Sequence, residues 1–132
     1  MNIKDFKVGQ TVYVELTGNA SRGKTAEQCI EKWEITSVGR KYIKAGKRSE
    51  KYGIVGETTF EWRDGYKRFV QKTNYSVGYI IYETRQEIER KFEKSKLLNE
   101  VEIFFRDWNK PKNLSIEQLK IIKEILEEGV ER

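Results

Sequence analysis

The first two thirds of the chain alternate apolar and polar residues over short runs that are separated by glycine. Between Thr11 and Leu16 every second side chain is apolar, which is the pattern of a strand with one buried face. The last such run is Tyr79-Ile80-Ile81-Tyr82, and Asp64-Gly65 is a typical hairpin turn. Five or six short strands in about 80 residues predict a small β-barrel.

Between these runs the pattern predicts further strands and two polar loops. Trp33 and Ile35 share a face of a strand over residues 29–38, and Val38 is out of phase with them, which indicates a β-bulge. Residues 18–24 and 46–53 are polar and bounded by glycine, so each is predicted to be an exposed loop.

At Thr84 the apolar period changes from that of a strand to that of a helix. Thr84 and Glu87 match a capping box, and Ile88 and Phe92 follow at helical spacing. The apolar stripe then continues to the predicted end of the helix near Trp108. Its members are Leu97, Leu98, Val101, Phe104, Phe105 and Trp108.

A second helix has clearer start signals. Ser115 and Gln118 match another capping box, Leu114 and Leu119 lie at the positions of a hydrophobic staple, and Gly129 is the predicted stop. Two helices cannot bury such apolar stripes by themselves, so we expect the hairpin to pack on the barrel or on a second copy of itself. The predicted division is a barrel in residues 1–83 and a two-helix extension in residues 84–132, together forming one compact unit.

Positive charge is concentrated in the predicted barrel. Of the net charge of +5, the whole excess lies in residues 1–83, which contain 15 Lys and Arg against 10 Asp and Glu. Six cations fall in one short segment, with Tyr42 and Tyr52 among them, and three more flank a neighbouring hairpin. The six are Arg40, Lys41, Lys44, Lys47, Arg48 and Lys51, and the three are Arg63, Lys67 and Arg68.

Cations interleaved with tyrosines are typical of a groove that binds nucleic acid, since the cations neutralise phosphates and the rings stack on unpaired bases. Two other interpretations remain open. The segment is also consistent with an ordinary solvated loop, or with a surface that recognises an acidic protein.

Catalysis is the weakest interpretation. The chain has no histidine and none of the common nucleophile or phosphate-loop motifs. Glu57, Glu61 and Asp64 could gather around Mg²⁺, but a solvated strand face with a turn aspartate explains them better. We therefore predict no enzyme, no cofactor and no metal. The lone Cys29, together with the lack of a signal peptide or apolar span, predicts a cytoplasmic protein without membrane contact.

Large aromatic side chains occur in two groups. Trp33, Phe60 and Trp62 are in register with strand faces and are predicted to lie in the core. The helical group is predicted to pack internally, and its alternative role is an exposed patch for a partner. It consists of Phe104, Phe105 and Trp108.

Residues 5–45 resemble an SH3-like barrel of the KOW or Tudor type. The resemblance lies in the lead-in Asp5-Phe6-Lys7-Val8-Gly9-Gln10, the Trp33 strand and the turn Val38-Gly39-Arg40-Lys41-Tyr42. The whole chain is similar to small uncharacterised barrel proteins carried by phages and mobile elements of Gram-positive bacteria. The predicted fold is therefore α+β, a small SH3-like β-barrel followed by a C-terminal helical hairpin packed on it.

The resemblance implies a binding scaffold. The leading hypothesis is a non-catalytic phage or mobile-element accessory module whose basic loop, from Arg40 to Tyr52, binds nucleic acid or a nucleoprotein. The alternative is a protein-binding adaptor, or an inhibitor of a host defence system of the anti-CRISPR type. That protein would act through its barrel loops or its aromatic helix face.

Overall fold

The computed structural model describes residues 2–107 and 109–128. The strands are β1 (Thr11–Leu16), β2 (Ile30–Val38), β3 (Tyr42–Ser49), β4 (Gly53–Arg63), β5 (Arg68–Gln71) and β6 (Tyr79–Tyr82). The helices are α1 (Arg85–Arg106) and α2 (Ile116–Glu127). Single turns of 3₁₀ helix lie at Ile3–Asp5, Gly18–Ser21, Glu27–Cys29 and Pro111–Asn113.

The six strands form a closed antiparallel barrel in chain order. Each strand pairs with the next one, and β1 pairs back onto β6 with Tyr13 opposite Tyr82, which closes the barrel. Closure pairs β1 with β6, whereas residues 53–58 of β4 pair with β3 alone in the part of the chain that the structure describes. A β-barrel followed by C-terminal helices confirms the predicted α+β class.

Alternate side chains of the strands fill the barrel interior. Trp33 packs edge-on against Phe60 with ring centroids 6.0 Å apart, and both rings are buried as predicted. Trp62 differs from the prediction because it is 37% exposed at the end of β4. The fully buried interior side chains include Val12, Val14, Ile35, Ile43, Phe60 and Ile81.

A second apolar cluster lies on the outside of the barrel. The strand β6 is apolar on both faces because Ile81 points into the barrel while Ile80 points outward. The first turns of α1 cover this outer face, and Ile88 is fully buried there. The outer cluster consists of Ile30, Val70, Val77, Ile80, Tyr82 and Ile88.

A buried carboxylate fixes the start of α1 to the barrel. Glu15 is 4% exposed, and its carboxylate accepts a hydrogen bond from the Tyr82 hydroxyl at 2.8 Å. The Lys91 ammonium on α1 lies 2.7 Å from the same oxygen. Beside this pair Arg68 contacts Glu87 at 2.8 Å and lies over the Tyr82 ring. The buried charge is therefore both hydrogen-bonded and paired, as burial of a charge requires.

Replacing Tyr82 by phenylalanine is expected to change how stability depends on pH. Burial raises the pKa of the Tyr82 hydroxyl, and its hydrogen bond to Glu15 raises it further. The unfolded chain loses this proton near pH 10 while the folded barrel keeps it, so stability falls as the pH rises above about 10. In Tyr82→Phe this alkaline loss disappears, and about 1 kcal/mol is lost at neutral pH with the hydrogen bond.

Urea unfolding of both proteins from about pH 7 to about pH 11 measures this difference. The gap in stability between wild type and Tyr82→Phe should narrow above about pH 10. A gap that stays constant over the whole range would show that Tyr82 ionises alike in the folded and unfolded chain.

Both predicted helix starts are confirmed. The Glu87 backbone N–H donates to the Thr84 hydroxyl at 3.3 Å, and Ser115 and Gln118 form a complete capping box.

The chain divides into two compact units between Phe92 and Glu93, within α1. In the second unit most apolar side chains of α1 and α2 are about half exposed, so their predicted packing stays a prediction. Trp108 and Gly129 lie outside the described residues.

One predicted loop is a strand pair. The sequence over residues 46–53 predicts a polar loop, but β3 continues to Ser49 and β4 begins at Gly53, with a register shift at Gly46. A Cβ atom at Gly46 would lie 2.6 Å from Ile54 Cγ2 and 2.8 Å from the Val55 carbonyl oxygen. This glycine therefore lets two backbones approach closely rather than ending the strand.

Candidate nucleic-acid interface

The basic segment from Arg40 to Tyr52 is a turn, a strand and a second turn. Arg40 and Lys41 lie in the turn between β2 and β3, whereas Lys51 and Tyr52 lie in the turn between β3 and β4. At the usual rise of about 3.3 Å per strand residue, these two turns are roughly 30 Å apart. The six predicted cations are therefore distributed along a strand instead of around one loop.

Two of the six cations bind carboxylates on the neighbouring strand β2. Lys47 lies 3.1 Å from Glu31, and Arg48 binds Glu34 with two parallel hydrogen bonds of 2.9 and 2.5 Å. The Arg48 hydrogen bonds hold the pKa of the Glu34 carboxyl below its usual value and raise the pKa of Arg48. Both members of this pair therefore stay charged, and their charges largely cancel.

The three cations predicted beside the neighbouring hairpin also differ in their surroundings. Arg63 binds Glu61 at 3.0 Å and donates to the Thr73 carbonyl at 2.8 Å, so it holds the segment that follows β5. Arg68 binds α1 as described above. Lys67 lies exposed in the turn between β4 and β5, with a positive φ of 54°.

Lys51 and Tyr52 form a separate exposed pair at the far end of β3. The Lys51 ammonium lies 5.3 Å from the centroid of the Tyr52 ring, and Tyr52 is 71% exposed. This arrangement offers one cation and one stacking surface. It is remote from the β2–β3 turn, so the predicted roles of the two residues stay a prediction.

Four of the exposed cations that have no ion-pair partner within residues 2–107 and 109–128 lie near the start of β3. We call Arg40, Lys41, Lys44 and Lys72 the unpaired cation group. Lys44 lies opposite Thr59 on the outside of the barrel, and the Lys72 backbone N–H donates to the Thr59 carbonyl at 2.8 Å. These contacts place Lys44, Thr59 and Lys72 side by side across three neighbouring segments.

An aromatic ring lies within the unpaired cation group. Tyr42 is exposed at the start of β3, and the Lys72 ammonium lies 4.9 Å from its ring centroid. Since Ile43 and Ala45 point into the barrel, Tyr42 and Lys44 share its outer face. The group therefore combines cations with an accessible ring on one surface.

Next to this surface a shallow cleft opens at the end of the barrel. Its volume is about 340 Å³. The Trp62 indole N–H donates to Asp64 at 2.8 Å, and its ring packs edge-on against Phe69 with centroids 5.5 Å apart. The lining residues are Asn2, Ile3, Arg40, Lys41, Trp62 and Phe69.

The sequence reasoning did not select Lys72 or Trp62 for this surface. A signal for Lys72 was present, because Phe69 and Gln71 alternate with Val70 and Lys72, so the last two share the outer face. Trp62 shares a strand face with Phe60, which favours a core position. Its exposure arises because β4 ends one residue later, where the barrel opens.

The three carboxylates considered for Mg²⁺ each bind a different neighbour. Glu57 accepts a hydrogen bond from Thr36, Glu61 binds Arg63, and Asp64 accepts from the Trp62 indole. Among the described residues no group of three or more His, Cys, Asp or Glu side chains is placed to hold a metal ion.

The aromatic helix patch is described only in part. Phe104 and Phe105 on α1 contact each other edge-on with centroids 5.1 Å apart, and Phe105 is 45% exposed. The third member, Trp108, lies outside the described residues. The patch as a partner site therefore stays a prediction.

Comparison with known families matches the chain over almost its whole length. The model of the family described as phage ProQ C-terminal-like domain matches residues 1–129. The chain belongs to this family. This match and the six-stranded barrel confirm the predicted likeness to small phage barrel proteins, while the SH3-like assignment stays a prediction.

No curated protein and no solved structure matches this member of the phage ProQ C-terminal-like family. The family description names no ligand. In the part of the chain that the structure describes, neither helix has the length and apolar character needed to cross a membrane.

Proposed function

We propose that this phage ProQ C-terminal-like domain is a non-catalytic module that binds nucleic acid, alone or within a nucleoprotein, as an accessory protein of a phage or mobile element. The observation that carries the proposal is the unpaired cation group: Lys44 and Lys72 lie with Tyr42 on one outer face of the barrel, and Arg40 and Lys41 lie in the turn just before Tyr42. Cations without carboxylate partners keep their charge available for phosphates.

The geometry of this face favours a phosphate backbone as the ligand. Neighbouring strands lie about 4.8 Å apart, so Lys44 and Lys72, which flank β4, are roughly 10 Å apart at their backbones. Their long side chains can contact separate phosphates of one strand. Tyr42, two residues before Lys44 on β3 and beside the Lys72 ammonium, offers a stacking surface, and stacking tolerates any base sequence.

The same residues favour binding over catalysis. The sequence has no histidine, and Glu57, Glu61 and Asp64 are each engaged by a different neighbour. A general base needs to be positioned against a nucleophile or substrate. The surface offers positive charge and aromatic rings instead.

Neutralising Lys44 and Lys72 together is expected to weaken binding of a single-stranded oligonucleotide about 15-fold at about 0.15 M salt. Each phosphate neutralised on a single strand contributes about 0.7 to the slope of log affinity against log salt. Removing two contacts should therefore make that slope shallower by about 1.4. Fluorescence anisotropy of the Lys44→Gln, Lys72→Gln double variant at several salt concentrations measures both quantities.

Lys94→Gln with Lys96→Gln is the matched control. It makes the same change of net charge on α1, at lysines that do not belong to the unpaired cation group, and should leave the slope nearly unchanged. If both double variants lose affinity equally, the binding depends on net charge alone and the proposed face is wrong. Wild-type protein that binds no oligonucleotide at low salt would refute the proposed function itself.

A second candidate function is a protein-binding adaptor or inhibitor. It is favoured by α2, whose apolar side chains include several that are about half exposed or more: Ile116, Leu119, Ile121, Ile125 and Leu126. Contacts of this kind resist salt, unlike phosphate contacts. Capture of a partner that survives both nuclease and high salt would favour this function over the first.

A further inference from the structure

We propose that the cleft beside Trp62 binds one unpaired nucleotide of a single strand, with its base stacked on the indole and its phosphate held by Arg40 and Lys41. This inference deepens the proposed function and rests on it. It concerns the cleft next to the face around Tyr42, which contributes Arg40 and Lys41 of the unpaired cation group, and it commits the ligand to a strand with accessible bases.

The indole of Trp62 is fixed before any ligand arrives. Its N–H donates to Asp64 Oδ1 at 2.8 Å, and its ring packs edge-on against Phe69. Phe69 in turn packs edge-on against Phe6, with centroids 5.5 Å apart, and both phenylalanines are buried. A ring that is already held loses little conformational entropy on binding, which favours affinity.

The exposed face of the Trp62 ring offers a polar ligand no free hydrogen-bond donor. The indole N–H, which is the one hydrogen-bond donor of this side chain, is already satisfied by Asp64. The side chain is nevertheless 37% exposed. What it still offers a ligand is apolar ring surface, and a flat aromatic group such as a base covers such a surface best.

The charge of the cleft selects an anion. Arg40 and Lys41 line it, and neither has an ion-pair partner among the residues that the structure describes. Two such cations would repel an ammonium group, so an aromatic cage for a cationic side chain does not fit here. A flat ring joined to a negative group fits both features, and the volume of about 340 Å³ suits a ligand of nucleotide size.

The test measures how tightly the full chain binds an oligoadenylate of about eight nucleotides, within the range of 4–16 that single-strand sites cover. Trp62→Leu removes the ring but keeps an apolar side chain, and it should weaken binding roughly 5- to 150-fold. The slope of log affinity against log salt should stay the same, because no phosphate contact is lost. Trp62→Phe keeps a ring and should retain most of the affinity.

Two further arms change the ligand, and their results with wild type do not depend on whether a variant folds. An oligomer of the same length with abasic positions should bind wild type at least as weakly as the normal oligomer binds Trp62→Leu, because it also loses any base stacked on Tyr42. An adenine analogue whose emission is quenched by stacking should lose emission with wild type and keep it with Trp62→Leu. A nucleoside monophosphate that binds as tightly as the oligomer would overturn the assignment to a strand.

The outcomes separate this inference from the proposed function. If Trp62→Leu binds the oligomer as wild type does, while neutralising Lys44 and Lys72 still weakens binding, the stacking site is wrong and the proposed function stands. If wild type binds none of the oligomers, both fail. Equal binding of normal and abasic oligomers by wild type would also overturn the stacking site.

Discussion

Replacing Phe60 by alanine is expected to lower the free energy of unfolding by about 3–5 kcal/mol. Phe60 is fully buried in the centre of the barrel and packs against Trp33. The substitution removes the transfer free energy of a ring and leaves a cavity, because a closed barrel has little freedom to collapse around it. Small domains are stable by only about 5–15 kcal/mol, so this loss is a large fraction of the total.

Urea unfolding followed by tryptophan emission measures the effect. The midpoint should fall while the dependence on urea keeps the same slope, since the surface exposed on unfolding hardly changes. Phe105→Ala is the matched control, because the same atoms are removed from a side chain that is 45% exposed, and it should change stability by less than about 1 kcal/mol. Equal losses for the two variants would mean that Phe60 does not lie in the core.

The barrel could be predicted because alternation and turn chemistry agree along the first 83 residues. Val12 and Val14 mark the inner face of β1, and the helix starts at Thr84 and Ser115 follow from capping alone. The boundaries of β3 and β4 could not be predicted in the same way. In the sequence Gly46 looks like a break in the alternating pattern. In the structure it lies within β3, where the backbone of β4 approaches too closely for a side chain.

The candidate site was harder to predict than the fold because a count of charges contains no information about pairing. Lys47 and Arg48 contribute to the local excess in the sequence, yet each faces a carboxylate on β2 that lies more than ten residues away along the chain. Pairing across strands depends on register, and the register here includes a shift between Ile35 and Ser37. Lys72 is the converse case, because only the pairing of β3, β4 and β5 brings it beside Tyr42.

The same distinction explains the two roles of cations in this barrel. Arg63 and Arg68 are bound by Glu61 and Glu87 and hold neighbouring segments of the fold. Removing either arginine should lower the stability of the fold, and it should weaken binding only as a consequence of that lower stability. In the described residues no ion pair links a member of the unpaired cation group to a neighbouring segment, so these cations can be changed with small effects on folding.

Replacing Arg40, Lys41, Lys44 and Lys72 together by glutamate is expected to weaken binding of single-stranded nucleic acid by at least about 200-fold at about 0.15 M salt. Each phosphate contact contributes about 0.6 log units there, relative to a reference of about 1 M salt, so four contacts amount to about 2.3 log units. The new carboxylates add repulsion, which makes this figure a lower bound. The measurement is anisotropy over a range of salt, with circular dichroism to confirm that the barrel is folded.

The matched control places four glutamates at Lys7, Lys94, Lys96 and Lys120, which are exposed and do not belong to the unpaired cation group. It changes the net charge equally and should weaken binding far less, because a charge that does not contact the phosphates is screened over about 8–10 Å. A third variant, Lys47→Glu with Arg48→Glu, should fall between the two, since those cations already neutralise Glu34 and Glu31. If that variant instead loses as much affinity as the four-site reversal, paired cations contact the ligand and the unpaired group does not define the interface.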